Sequence, residues 1–241
     1  MADSIMTFRL VVKEVAASNG VHATFMPKPL EGVQGSGMHT HLSLFHGDDN
    51  AFYDEADPHN LSPLAKSFMA GLLRHAAEIT AITNQTVNSY KRLVPGFEAP
   101  VHISWARNNR SGLIRVPIAK RGNPSATRIE YRSPDPACNP YLAFAVMLAA
   151  GLRGVKEGYE LGPEAEANLF EMSDEQLATL GIEQLPQSLS DSLRMMERSD
   201  LVKEALGDHI FEWFLRNKRN EWRAYKTHVS AFEVDRYLKA L

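Results

Sequence analysis

Hydrophobic and polar positions repeat with two different periods along this chain, and the period changes from one segment to the next. Apolar residues recur every three to four positions over 8–16 and 64–79, which predicts two amphipathic helices. Strict alternation over 38–45 and 127–132 predicts two strands with distinct faces. A further short strand is predicted at 21–26, where β-branched and aromatic residues precede two prolines.

The second half of the chain is dominated by helical patterns. Asn139-Pro140 supplies a capping side chain and a first-turn proline before an apolar helix that ends near Gly154. From Ser173 onward the pattern is helical throughout, with capping-box sequences starting at Ser173 and Ser230. Strands carrying polar side chains followed by a helical C-terminal third predict an α+β fold. An aromatic-rich stripe in that third predicts a helical core: Ile210, Phe211, Trp213, Phe214, Trp222 and Tyr225.

Composition narrows the class of protein without identifying it. A formal net charge of -3 over 241 residues gives no electrostatic case for binding nucleic acid or an anionic membrane. No apolar run approaches the roughly 20 residues that cross a bilayer. The one cysteine, Cys138, cannot form an internal disulfide, so a reducing, cytoplasmic setting is expected.

Candidate chemistry lies on the polar faces of the two alternating strands. Each face is a row of three side chains, His39, His41 and Ser43 on the first strand and Arg128, Glu130 and Arg132 on the second. If the rows line one pocket, they supply a metal ligand, cationic clamps for anions and a hydroxyl. Each row taken alone also fits the solvated face of a one-sided antiparallel sheet, where cross-strand ion pairs are common.

The loop at 88–115 adds a cluster of basic residues around one acidic residue, Glu98. Its cations are Lys91, Arg92, Arg107, Arg110 and Arg115. Arginine binds phosphate and carboxylate groups in a bidentate manner, although the loop alone also fits a solvated basic surface. Gly35 and Gly37 precede the histidine row and allow a backbone to approach a ligand closely. Neither a P-loop nor a Gly-x-Gly-x-x-Gly pattern is present. Together these features predict a site for a nucleotide and a carboxylate substrate.

Three long motifs resemble those of type I glutamine synthetases, in the same order along the chain. They are QGSGMHTHLS at 34–43, NSYKRLVPGFEAP at 88–100 and RIEYRSPDPACNP at 128–140. The resemblance extends over essentially the whole chain. It implies that 1–160 is part of the catalytic barrel of that family and that 161–241 is a helical region of the same domain with oligomer contacts.

The resemblance also implies a role for each matched residue. His39 and Glu130 would ligate Mg²⁺ or Mn²⁺. The residues that would contact ATP are His41, Ser43, Arg110, Arg115 and Arg128. The residues that would hold glutamate are Gln34, Gly35, Arg92 and Arg132, with Gln34 at a position where the family usually has Asn. Glu98 would close over the glutamate as part of a flap, and Glu98 and Arg110 would act in catalysis.

The implied reaction joins ammonia to the γ-carboxylate of glutamate at the expense of ATP, through a γ-glutamyl phosphate. Family members form dodecamers, so Phe232, Tyr237 and Leu238 are expected to anchor contacts between rings. Phe170 stands where some members carry an adenylylated tyrosine, and its lack of a hydroxyl excludes that control. Ser125 lies near the position of an ATP-contacting lysine.

Family members carry an N-terminal β-grasp domain and the first part of the barrel ahead of the region matched here. Those segments supply further metal ligands and an aspartate that deprotonates ammonium. We therefore expect this chain to be incomplete, marginally folded and inactive on its own. Two alternatives stay open, a γ-glutamyl-amine ligase that uses a polyamine or ethanolamine, and a non-catalytic structural or regulatory relative. Transfer of phosphate to a guanidino compound on a related barrel fits the motifs less well.

Overall fold

The computed structural model describes residues 1–96, 99–109, 111–118 and 123–241. The helices are α1 (Ala2–Ser18), α2 (Pro63–Arg74), α3 (Ala76–Thr83), α4 (Ser89–Arg92), α5 (Pro140–Glu157), α6 (Asp174–Thr179), α7 (Leu189–Glu197), α8 (Asp200–Thr227) and α9 (Ala231–Tyr237). The strands are β1 (Thr40–Leu42), β2 (Phe45–His46), β3 (Asp49–Asn50), β4 (His102–Ala106), β5 (Gly112–Arg115) and β6 (Ile129–Tyr131). The predicted α+β class is confirmed.

Strand β6 lies inside a four-stranded sheet of order β1-β6-β5-β4. It runs antiparallel to β1, with Glu130 opposite His41, and antiparallel to β5, with Glu130 opposite Arg115. Strand β4 pairs parallel to β5 at the far edge. A carboxylate at the centre of the sheet is therefore flanked by a histidine strand and an arginine strand.

Three strand predictions need correction in length or existence. The alternating segment 38–45 forms two short strands instead of one, because β1 ends at Leu42 and β2 pairs with β3 in a separate hairpin. The segment 127–132 is a strand only over Ile129–Tyr131. The predicted strand at 21–26 is wrong. That segment pairs with no strand in the described part of the chain, and a strand needs a neighbour to satisfy its backbone groups.

The predicted long helix over 64–79 is two helices that meet at His75. Ser62 caps α2 as the sequence predicted, accepting a hydrogen bond from the Ala65 N–H at 3.1 Å. The backbone of His75 leaves the helical range (φ -98°, ψ 7°). The break lets α2 pack against α5 while α3 turns toward α7. Amphipathic spacing continues across the break, so the sequence pattern did not reveal it.

Helix α5 begins after Asn139, whose side chain accepts from the Tyr141 and Leu142 N–H groups, and it continues to Glu157, just beyond the predicted end. Both predicted capping boxes are present. The prediction of continuous helix after Ser173 is wrong between α6 and α7. There the chain is extended and bonds to β4, with Ile103 N–H donating to Glu183 O at 2.8 Å.

The main core combines both halves of the chain. Helices α2 and α5 cross at Gly71 and Gly154, and the aliphatic side chains of α7 and α8 join the same buried cluster. Of the aromatic stripe, Phe211 and Phe214 are buried, whereas the predicted core positions Ile210, Trp213 and Tyr225 are more than 40% exposed. They lie on the outer side of α8. The division of the chain into a barrel part at 1–160 and a helical region at 161–241 stays a prediction.

The two terminal helices, α1 and α9, contain no buried residue. Arg9 ties α1 to the body by donating to Cys138 O at 2.9 Å. Phe232, Tyr237 and Leu238 are exposed in this single chain, and their role as interface anchors stays a prediction. No helix in the described ranges is long and apolar enough to cross a membrane.

Candidate functional site

The Glu130 carboxylate is the centre of the site. Strand β6 turns Ile129 and Tyr131 into the core, both fully buried, so that Glu130 faces the opposite side of the sheet. His39 Nδ1 lies 2.8 Å from Oε1, and Arg115 Nε lies 2.6 Å from Oε2. Arg132 Nε is 3.9 Å from Oε1. Glu130 is 3% exposed, and a carboxylate so buried needs such partners.

A cavity of about 360 Å³ opens beside this carboxylate. Its lining is polar and contains two buried arginines together with the glycines of the first motif. The lining residues are Gln34, Gly35, Gly37, His39, Arg92, Ala99 and Arg132. Segments predicted separately from three motifs thus meet at one cavity. Two buried guanidiniums at its wall suit a ligand that carries a carboxylate.

Arg92 reaches the cavity from α4 and is 3% exposed. Its Nη1 donates to Ser133 O at 2.6 Å and its Nη2 to Arg132 O at 3.2 Å. Burial lowers the pKa of Arg92 to about 10, opposed by the charge of Asp135. The side chain therefore stays cationic at neutral pH while lying in a largely desolvated place.

His41 and Arg128 form a second pair at the outer edge of the sheet. Arg128 Nε donates to His41 Nδ1 at 3.2 Å, and Arg128 Nη1 donates to Ala126 O at 3.0 Å. Burial lowers the pKa of His41, and the charges of Arg128 and Arg115 lower it further against the effect of Glu130. The pair presents an imidazole and a guanidinium on the same face as Glu130.

The protonation of His39 matters because only a neutral imidazole binds a metal. Burial lowers the pKa of His39, and the nearby charge of Arg132 lowers it as well, while Glu130 acts in the opposite direction. A neutral nitrogen beside a carboxylate oxygen fits Mg²⁺ or Mn²⁺, ions that take few protein ligands and complete their shell with water and phosphate oxygens. No group of three or more potential metal ligands occurs among the residues that the structure describes.

Several predicted site residues are not brought to the cavity lining, or cannot be located. Glu98 and Arg110 lie outside the described residues. Ser43 is half-buried in the connection between β1 and β2, beyond the end of the strand on which it was predicted, and is not at the cavity wall. Ser125 is exposed in a short 3₁₀ turn. Phe170 packs its ring 5.9 Å from His102, away from Glu130.

Two buried polar residues near the Ser133 carbonyl that accepts from Arg92 had no predicted role. Asn84 follows the end of α3, and Asp135 follows the third motif's strand; both are fully buried. Asp135 was visible inside that motif, three residues after Arg132. Nothing in the sequence linked it to Asn84, which is 51 positions away.

Comparisons with known proteins point to one family. A family model described as "Glutamine synthetase, catalytic domain" matches residues 1–237. Glutamine synthetase of Mycolicibacterium smegmatis is 58% identical over 99% of this chain and 53% of its own length. That of Thermotoga maritima is 52% identical over 98% of this chain and 53% of its own length. The chain thus spans about half the length of the curated relatives it matches.

A solved structure titled "Apo GmaS without ligand" superimposes with a TM-score of 0.86 at 38% identity, over 99% of this chain and 53% of that one. A second, titled "GmaS/ADP complex-Conformation 1", gives a TM-score of 0.87 at 36% identity, over 99% of this chain and 54% of that one. The family model, the sequence relatives and the superimposed folds all cover nearly the full chain. The chain therefore belongs to the glutamine synthetase family and carries a large part of its catalytic domain.

Proposed function

We propose that this chain supplies the metal-, ATP- and glutamate-binding part of a ligase that joins ammonia to the γ-carboxylate of glutamate. The observation that carries the proposal is the single carboxylate of Glu130 held between His39 and Arg115, next to a cavity walled by Arg92 and Arg132. Such a site suits two anions that must be brought together, a nucleotide triphosphate and an amino-acid carboxylate.

The first chemical step transfers the γ-phosphoryl group of ATP to a carboxylate oxygen of glutamate and releases ADP. Both reactants are anionic, so cationic groups are needed to offset their repulsion. We assign Arg92 and Arg132 to hold the carboxylate end of glutamate, and Arg115 and Arg128 to bind phosphate oxygens beside Glu130. A divalent ion held by His39 and Glu130 would neutralise charge on the phosphates.

In the second step the amine attacks the carbonyl carbon of the acyl phosphate, and inorganic phosphate leaves. The attacking nitrogen must lose a proton, and we assign that role to a carboxylate, with Glu98 as the candidate by position in the motif. Arg110 is proposed to stabilise the transferring phosphoryl group. His41 and Ser43 are proposed to contact the nucleotide, and Gln34 and Gly35 the glutamate.

Ammonia is favoured over larger amines as the nitrogen donor. The glutamine synthetases among the relatives are 51–58% identical to this chain, whereas GmaS (γ-glutamylmethylamide synthetase) is 38% identical. The similarity to GmaS keeps a γ-glutamyl-amine ligase as the second candidate. The two are distinguished by comparing kcat/KM for ammonium with that for methylamine, putrescine and ethanolamine.

The test of the ligase proposal uses two proteins. One is this chain alone, and the other is a chimaera in which the part of the M. smegmatis relative that this chain does not cover is joined to it in the relative's own order. We expect glutamate- and amine-dependent ADP release from the chimaera and none from the chain alone. Measurable turnover by the chain alone would show that it is not an incomplete catalytic region.

A chimaera carrying Glu130→Gln is the matched control, because it keeps the size of the side chain and removes its charge. Its ADP release is expected to fall at least 100-fold, roughly the loss of a few kcal/mol of transition-state stabilisation. A chimaera that is folded by circular dichroism yet inactive contradicts the ligase proposal and supports a non-catalytic relative. Equal activity of the chimaera and its Glu130→Gln variant contradicts the role of Glu130.

A further inference from the structure

The Arg92 side chain is held in place by contacts on two sides. Its two terminal nitrogens donate to the carbonyls of Ser133 and Arg132. On the other side it packs against the glycine motif, where a Cβ added to Gly37 would lie 2.5 Å from Arg92 Nη2. A Cβ on Gly35 would lie 3.0 Å from Arg92 Cγ. The guanidinium is therefore sandwiched between the glycine segment and the backbone that follows β6.

The carbonyl that receives the shorter of these bonds is itself held by Asn84. Asn84 Nδ2 donates to Ser133 O at 2.9 Å and to Asp135 Oδ2 at 3.0 Å. Its own Oδ1 accepts from Thr83 Oγ1 at 2.9 Å. Asn84 thus holds two groups in place: the Ser133 carbonyl oxygen that orients Arg92, and the Asp135 carboxylate two residues further along the chain.

Asp135 supplies the negative charge of this network. Its Oδ1 accepts from Ala137 N–H at 3.0 Å, and the Ser89 hydroxyl also bonds to its carboxylate. Ser89 lies in α4, the same short helix that carries Arg92. Burial raises the pKa of Asp135, whereas the charge of Arg92 lowers it. The acid and the guanidinium are thus electrostatic partners across the Ser133–Asp135 backbone.

A network of this kind is costly to keep for stability alone. Burying a carboxylate carries a desolvation penalty, and apolar residues of similar volume often stabilise a protein equally well. Two bonds of the network, from Asn84 Nδ2 and from Arg92 Nη1, instead converge on Ser133 O, and Arg92 lines the cavity. This convergence indicates that the network serves the cavity.

We propose that Asn84 and Asp135 are positioning residues that hold the Arg92 guanidinium at the cavity wall, where it binds the carboxylate of an amino-acid substrate. The inference rests on the proposed function, since it takes glutamate as the occupant of the cavity. Neither residue touches that substrate in this arrangement. Both act through Ser133 O and Arg92.

The test measures glutamate binding to the full 241-residue chain by ligand-detected NMR, with ADP as an independent probe. Asp135→Asn is expected to weaken glutamate binding about tenfold and to leave ADP binding within about twofold. The control is Asp57→Asn, which removes another largely buried carboxylate, the ion-pair partner of Lys66, at a distance from the cavity. The control is expected to keep wild-type glutamate affinity.

A double-mutant cycle separates positioning from general loosening of the fold. In an Arg92→Gln background, Asp135→Asn is expected to change glutamate affinity less than about twofold, because its effect passes through Arg92. If circular dichroism shows that Asp135→Asn does not fold, Thr83→Val takes its place. It removes the bond to Asn84 Oδ1 at 2.9 Å together with two longer contacts to the Ile79 and Thr80 carbonyls of α3, and is expected to weaken glutamate binding about threefold.

The outcomes are distinguishable. No glutamate binding by the folded wild-type chain overturns the proposed function. Binding by the wild type with equal affinity in the folded Asp135→Asn or Thr83→Val variant overturns the positioning role alone. A parallel loss of glutamate and ADP binding, or a full effect of Asp135→Asn in the Arg92→Gln background, also overturns it, because the residue would then act on the fold as a whole.

Discussion

Arg115 Nε lies 2.6 Å from Glu130 Oε2, so that a guanidinium contacts the same carboxylate that we propose as a metal ligand. The two residues are direct neighbours on adjacent strands. A guanidinium and a divalent cation compete for one carboxylate, because each is attracted to its negative charge while the two cations repel each other. Metal binding must therefore weaken the Arg115–Glu130 ion pair, and this lowers the affinity for the metal.

Removing this competitor is expected to strengthen metal binding. Arg115→Gln should bind Mn²⁺ three to ten times more tightly in the absence of nucleotide, a gain of roughly 1 kcal/mol for a pair that is partly solvated. Electron paramagnetic resonance of free Mn²⁺ measures the change. Arg107→Gln is the matched control, since Arg107 is similarly exposed and pairs with Glu164 at 2.9 Å away from Glu130. Weaker Mn²⁺ binding by Arg115→Gln would show that Arg115 organises the carboxylate and does not compete for it.

A side chain at Gly37 is expected to disturb the cavity, because it would clash with residues that line it. An alanine there would place Cβ 2.5 Å from Arg92 Nη2 and 3.2 Å from His39 Cδ2. Because both neighbours are side chains and not backbone, the added methyl group would displace the Arg92 guanidinium from its bonds to Ser133 and Arg132 more readily than it would disturb the fold. We therefore expect weaker glutamate binding, by about tenfold, with a loss of stability below about 1.5 kcal/mol. Ligand-detected NMR and urea unfolding measure the two effects. Gly162→Ala, with no atom near its added Cβ, should change neither.

A side chain at Gly154 is expected to disturb the core, because α2 and α5 pack closely there. Its added Cβ would lie 2.1 Å from Ser67 O, where α2 and α5 touch backbone to backbone. Alanine in an open helical position would stabilise the protein by up to about 1 kcal/mol. Here overpacking should reverse the sign and destabilise by about 2 kcal/mol. Urea unfolding at neutral pH measures the difference, and stabilisation by Gly154→Ala would show that the two helices separate without cost.

Glu78 is expected to contribute to stability at neutral pH and to lose that contribution in acid. Burial alone would raise its pKa, but bonds from His75 and Ser199 hold the pKa below its ordinary value of 4.5. A carboxyl group with a lowered folded-state pKa stabilises the fold above its unfolded pKa and loses that effect as the pH falls through the folded value. The window therefore starts near pH 4.5 and extends downward.

Glu78→Gln should remove part of this acid dependence. We expect the variant to be less stable than wild type at pH 7 and to lose less free energy of unfolding between pH 7 and pH 4. Urea titrations at the two pH values give the comparison. Glu212→Gln, at an exposed position of α8, should follow the wild-type profile. A wild-type profile for Glu78→Gln would mean that the His75 and Ser199 bonds do not persist in solution.

Local sequence patterns predicted which side chains share a face at the site better than they predicted where the strands and helices begin and end. Alternation placed Arg128, Glu130 and Arg132 on one face because side chains point to opposite sides at successive positions of any extended segment. The residue types at 21–26, followed by two prolines, predicted a strand where no described strand provides a partner. Strand formation depends on that partner, which lies elsewhere in the chain.

The break at His75 was missed because helical spacing persists across it, so periodicity gives no signal of interruption. The extended segment between α6 and α7 does carry a signal, since Gly181 and Pro186 are helix-breaking residues that the prediction of continuous helix passed over. In the structure α3 turns onto α7, and Glu183 O between α6 and α7 accepts from Ile103 N–H of β4. The outward position of Trp213 also depends on which side of α8 meets α5, a choice that the residues of α8 alone do not contain.

The sequence by itself determined the family, the polar rows, the caps of α2 and α5 and the residue types available for chemistry, because motifs, periodicity and capping are properties of neighbouring residues. Only the tertiary structure decided that His39 and Arg115 reach the same carboxylate, and that Asn84 holds the carbonyl that orients Arg92. Those contacts join residues from 15 to 91 positions apart in the sequence. Strand register and helix packing set them, and both arise from the burial of the core as a whole.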